Sequence, residues 1–226
     1  IYGSRAANGV ILITTKKGTS GEPVYSFSTG ITTNSLRKKV YVNMSDKQFV
    51  NSSPSLFPIQ NQPLSPTTVS VAGRNLETRT ISGIQRYDYQ DEIFTTGVGN
   101  DTYFSVKGGN DKTKYFSSIG YLKNEGIIKN TDFTRIGAKL RVQTEFNDKL
   151  SASVGMNYVH SASNEKPDGN VFWSPINSMT ITNNIYDITR RDANGNLLAV
   201  DPVRVNPLSI IETFDITQKT DRIVSD

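Results

Sequence analysis

His160 is the only histidine of the 226-residue chain, and cysteine is absent. One imidazole cannot build a histidine metal cluster, and it makes a catalytic triad or a His–carboxylate dyad unexpected. The missing thiols remove disulfide frameworks and cysteine-based metal sites. Asp91 and Glu92 are adjacent, so their carboxylates need not converge, and no second acidic pair supports general acid–base work. Asp192-Ala193-Asn194-Gly195-Asn196 opens like a calcium loop, with oxygen ligands at alternate positions. Its glycine, however, falls at the fourth place where an EF-hand needs it at the sixth, and a hairpin around a tight Asn-Gly turn suits the segment better. What remains is recognition. Phe172, Trp173 and Tyr186 lie in one long connection flanked by Pro167, Gly169 and Pro175. Their rings can stack on sugar faces or grip a peptide, or else simply pack the loop. The expectation is therefore no enzyme, no cofactor and no metal, with these three aromatics as the ligand-contact candidates.

Bulk properties narrow the setting in which such residues work. A net charge of +4 and a pI near 9.2 would suit nucleic acid, but Lys and Arg are scattered and the densest cluster is only Arg37-Lys38-Lys39, so no nucleic-acid partner is expected. The chain is 35% hydrophobic and 20% charged, which fits neither a disordered tail nor a helical membrane protein. No window approaches the ~18 uninterrupted apolar residues of a spanning helix. A mean hydropathy of -0.41 leaves spanning β-strands open, because their apolar residues alternate with polar ones.

The elements that must carry these residues read as strands. Residues 24–33 alternate Tyr25, Phe27, Thr29 and Ile31 against small or polar neighbours. Comparable segments follow at 102–108, 112–122, 133–146 and 150–161, and a sixth starts near Thr217. In the fourth, Ile136, Ala138, Leu140, Val142, Thr144 and Phe146 share one face, while Lys139, Arg141, Gln143 and Glu145 share the other. Gly109-Asn110-Asp111 and Asn147-Asp148-Lys149 are tight turns, whereas 34–101, 123–131 and 162–216 are longer excursions. Soluble sandwiches seldom alternate short and long connections so regularly, and outer-membrane barrels do so by rule. With the tight turns placed on the periplasmic side, Tyr25, Phe27, Tyr115 and Phe146 fall toward that end, and Tyr121 and Tyr158 lie nearer the outer surface, as two aromatic girdles would.

Two blocks also resemble a known family. The run Tyr2-Gly3-Ser4-Arg5-Ala6-Ala7-Asn8-Gly9-Val10-Ile11-Leu12-Ile13-Thr14-Thr15-Lys16-Lys17-Gly18 is similar to the last plug segment of SusC/RagA-type TonB-dependent outer-membrane transporters. Residues 108–122, with Gly126-Ile127-Ile128-Lys129-Asn130, Phe133 and Arg135, resemble that family's early barrel hairpin. Asp88 to Phe94 matches a preceding segment more weakly, with Tyr89 where the family usually shows tryptophan. The resemblance covers most of 1–161.

It implies an all-β fold, namely part of a transmembrane antiparallel barrel of a plugged transporter. The end of the plug would occupy 1–20, and about six early barrel strands 21–226, with long extracellular loops near 34–101 and 162–216. The chain begins within a motif and stops in a strand, so it reads as a fragment, with the signal peptide and the TonB-contacting box expected upstream. The implied function is active import of oligosaccharides or peptides across the bacterial outer membrane. The implied partners are a SusD-like surface lipoprotein, TonB, the oligomeric ligand and outer-membrane lipid. A siderophore- or cobalamin-type TonB receptor and a non-transporting surface β-rich binding module are the alternatives.

Overall fold

Alternating bulky and polar residues commit most of the chain to extended backbone, with two faces of opposite character. The computed structural model describes residues 16–46, 48–51, 65–71, 74–81, 83–169, 173–200 and 205–225. Its elements in chain order are β1 (Gly21–Asn34), β2 (Gln48–Asn51), β3 (Ser65–Val71), β4 (Arg74–Ile81), α1 (Gln90–Ile93), β5 (Gly97–Gly109), β6 (Thr113–Glu125), β7 (Asp132–Asn147), β8 (Leu150–Glu165), α2 (Pro175–Ile181), α3 (Pro207–Thr213) and β9 (Ile216–Ser225). Six strands form one antiparallel sheet in the order β1-β5-β6-β7-β8-β9, and β2-β4-β3 form a small second sheet. The large sheet is an open arc whose edges are β1 and β9.

All six expected strands are present, and most run further than their apolar pattern. Gly97 to Asp101 lacks apolar alternation, yet it pairs with Gly30 to Asn34 on one side and with residues of β6 on the other. Ladder hydrogen bonds thus carry the strand beyond its apolar stretch. The tight turns lie where expected. The side-chain oxygen of Asn110 accepts from the backbone N–H groups of Lys112 and Thr113 at 3.0 and 2.7 Å, and that of Asn147 accepts from Lys149 N–H at 2.9 Å. Such Asx turns fix the hairpin registers.

The long connections are not bare loops. Residues 34–101 include the small sheet and α1, and residues 162–216 include α2 and α3. Both of the latter helices start in the same way. Ser174 and Asn206 accept the N–H of Asn177 and Leu208, and a proline takes the first helical position. That pairing of a polar cap with a proline is a helix-start signal in the sequence itself.

Register sorts the sheet into rows. On one face Phe27, Phe104, Ile119, Ala138, Tyr158 and Ile223 line up across all six strands. Neighbouring rows add Tyr25, Val106, Leu140 and Met156 on one side, and Tyr121 and Ile136 on the other. This apolar face is open: Phe27 is 68%, Ile223 69% and Leu140 47% exposed. From Phe146 to Ile136 it runs about 33 Å along β7, which at a strand tilt of ~40° is a band of roughly 25 Å. Beyond it the same face turns polar with Lys123, Thr134 and Lys219. The concave face carries Ser105, Ser118, Lys139, Asn157 and Arg222 instead.

Candidate functional site: the loop cap and the concave face

The long connections gather at one end of the sheet and pack against each other. Tyr89, Ile188, Val200 and Leu208 form a buried cluster, against which Tyr87, Met179, Tyr186 and Leu197 pack. Ile93, Ile210 and Ile211 are likewise buried. Polar clamps tie the loops together. The Tyr89 hydroxyl donates into the carbonyls of Asn183 and Tyr186, 2.8 and 2.7 Å away, and its burial pushes its pKa up. The Gln90 amide accepts from Val40 N–H and donates to Val40 C=O, each at 2.8 Å, copying a strand partner. Lys129 N–H donates to Ile93 C=O at 3.0 Å, which joins the 123–131 connection to α1. Arg191 grips Glu212 with two nitrogens at 2.6 and 3.1 Å.

Within the Asp88–Phe94 segment, Tyr89, Gln90 and Ile93 are buried in this cap. Replacing Tyr89 by Phe should leave two loop carbonyls without their donor. The expected cost is about 1–3 kcal/mol, seen as faster amide exchange in 183–188 while the strands stay protected.

Trp173 and Tyr186 pack against different neighbours. Trp173 is 51% exposed and tilts against Phe214, with ring centroids 6.0 Å apart. Tyr186 is half-buried against the cap core, and Phe172 lies outside the described residues. The Asp192 segment is a turn closed by an Arg191–Leu197 bridge. The Asn196 amide and the N–H groups of Asn194 and Asn196 surround the Asp192 carboxylate and hold its pKa below the usual range.

One expectation is corrected. His160 does have a carboxylate partner, for β8–β9 register sets it opposite Asp221, and Nδ1 lies 2.8 Å from that carboxylate. The Tyr158 hydroxyl donates to the same oxygen at 2.7 Å. Sixty-one positions of separation hid the pair from the sequence. The trio stands on the apolar face near its polar border, and Tyr158 shares a row with Phe27, so register does not set these two rings at opposite ends of the strands as the sequence alone suggested.

The concave face holds a cleft of about 870 Å³ lined by Lys16, Asp101, Tyr103, Arg135, Lys139, Asn157 and Arg222, among others. The segment entering β1 lies against it. Gly18 sits so close to the backbone of Lys114 and Tyr115 that a Cβ there would fall 2.4 Å from Tyr115 N. The Lys16 ammonium lies over the Tyr103 ring, 5.3 Å from its centroid. Chain leading into the sheet therefore comes off its concave side at Lys16. The signature run before Lys16 lies outside the described residues.

No family model matches the chain. It is similar to the TonB-dependent receptor P39 of Formosa agariphila, with 28% identity over 91% of this chain and 19% of that protein. The TonB-dependent receptor P3 of the same organism is 31% identical over 70% of this chain and 13% of its own length. The TonB-dependent receptor SusC of Bacteroides thetaiotaomicron is 30% identical over 71% of this chain and 14% of its own length. The chain thus spans less than a fifth of the curated relatives it matches.

Proposed function

Because the chain belongs to the SusC-like TonB-dependent receptors, we propose that it forms one arc of the barrel wall of a bacterial outer-membrane importer of oligomeric nutrients. Residues 1–20 end the plug, and 21–226 open the barrel. The observation that carries this reading is the pairing of an exposed apolar face across six strands with a polar concave face from which the entering chain emerges. An apolar band of about 25 Å is what a spanning barrel presents to lipid, and water-exposed patches of that size are otherwise rare.

In this reading the tight turns point to the periplasm and the loop cap to the outside. A SusD-like lipoprotein closes over the cap, an oligosaccharide or peptide is captured between them, and TonB pulls the plug to let it pass. No covalent step is required of the protein. Deleting the gene should abolish growth on the oligomer it imports, and the full-length gene should restore it; growth unaffected on every oligomeric nutrient would contradict import.

Capture draws on the loop that carries Phe172, Trp173 and Tyr186. A ligand held at several points loses about 1 kcal/mol with one stacking contact, so Trp173→Ala should weaken uptake affinity by about tenfold or less and leave the maximal rate unchanged. Uptake kinetics on the full-length variant check this. A lowered maximal rate at unchanged affinity would assign Trp173 to translocation instead.

A further inference from the structure

We propose that residues 16–20 are a permanent clasp, fastened to the barrel wall at Gly18, which holds while the plug is pulled so that chain is released only upstream of Lys16. This rests on the reading above that residues 1–20 end the plug, and it names the part of that segment that does not move. No strand ladder joins the two units here, because residues 16–19 are neither strand nor helix and β1 begins at Gly21. Individual contacts must do the fastening, and three follow one another along the chain.

Nearest the tight turn, the Ser20 hydroxyl donates to the Asp111 carboxylate at 3.2 Å. Next, Gly18 lies against β6, where a Cβ would fall 2.6 Å from the Tyr115 carbonyl oxygen and 2.8 Å from the Lys114 carbonyl carbon. Those atoms belong to a strand paired on both sides, with Gly108 and Gly109 of β5 and with Val142 and Gln143 of β7, so they cannot give way. Only a residue without a side chain fits so close to another backbone. An added methyl must push the chain out by about 1 Å to regain van der Waals separation. Last, the Lys16 ammonium lies over the Tyr103 ring. That ring is open to it because the row of Tyr103 continues through Gly120 and Gly137, which place no side chain beside it.

The clasp sits where load arrives. β1 is paired with β5 from Val24 to Asn34, so a displacement at Gly18 is not absorbed there and passes to the chain leaving Lys16. In the other direction, a pull from upstream meets the clasp before it reaches the first pairs of β1. A clasp that holds lets the plug move without peeling the strand from the wall.

Both tests use the full-length receptor in a background without other cysteines. In planar bilayers Gly18→Val should lose the ion seal that the parent keeps, and Thr19→Val, at an exposed neighbour, should keep it. Heat-modifiable electrophoretic mobility verifies that each variant is a folded barrel. A folded Gly18→Val receptor as tight as the parent, or a Thr19→Val receptor as leaky, overturns the fastening. In the second test the N-terminal end of the bilayer-embedded receptor is pulled in a force microscope and the length of chain released before the barrel unfolds is read. K16C/Y103C joined by a bifunctional thiol reagent should release the same length as the same pair capped with a monofunctional one. A capped receptor that releases the five clasp residues as well, about 17 Å more, overturns permanence. Neither test uses ligand or TonB, so a failure of uptake would refute the import reading without touching these results.

Discussion

Cells lacking TonB are expected to bind the ligand at their surface and to take up none of it. In the import proposed above, capture would need only the outward loops and a lid, with contacts already present at equilibrium. Translocation in that proposal is different, because the concave face of this arc would have to be vacated by whatever the entering chain at Lys16 leads from, and that displacement would have to be driven. The measurement is labelled-ligand uptake beside cell-surface binding in both backgrounds. Undiminished uptake without TonB would leave the protein a passive pore.

Leu140→Arg in the full-length protein should destabilise the barrel by roughly 2–4 kcal/mol, whereas Arg141→Leu should cost much less. Leu140 sits in an outward row with Tyr25, Val106 and Met156, between the Phe146 end of the band and the His160–Asp221 border. A guanidinium there lies in hydrocarbon too far from either interface to snorkel without cost. Arg141 faces the concave side, where Phe116 and Gly155 flank it and Ser153 accepts from it at 3.4 Å, so a leucine loses a contact but meets no lipid. Unfolding in a lipid bilayer measures both, and equal costs would mean that the faces are not chemically distinct.

The six strands were legible because period-two alternation is a local signal, most plainly between Ile136 and Phe146. Their ends were not, since the pairing of Gly97 to Asp101 with β1 and β6 is a ladder effect with no apolar signature. The connections were legible in length and side but not in content. α2 and α3 announce themselves through Ser174-Pro175 and Asn206-Pro207, a signal weaker than periodicity and overlooked beside it. The cap core escaped notice because Tyr89 and Ile188 come from connections 99 positions apart, and only strand register brings such segments to one end of the sheet. The His160–Asp221 pair is invisible for the same reason: it is a property of register across strands, not of any one strand.

Alternation of faces in β7 is the point on which the whole account turns. Single cysteines placed from position 136 to 146 in the full-length receptor, reconstituted in bilayers, can be probed with a lipid-confined quencher or label. Even positions such as 138, 140 and 142 should react from the lipid phase, and odd positions such as 139, 141 and 143 should stay silent. The reverse pattern, or labelling without a period of two, would contradict a membrane-spanning wall with its basic face inward.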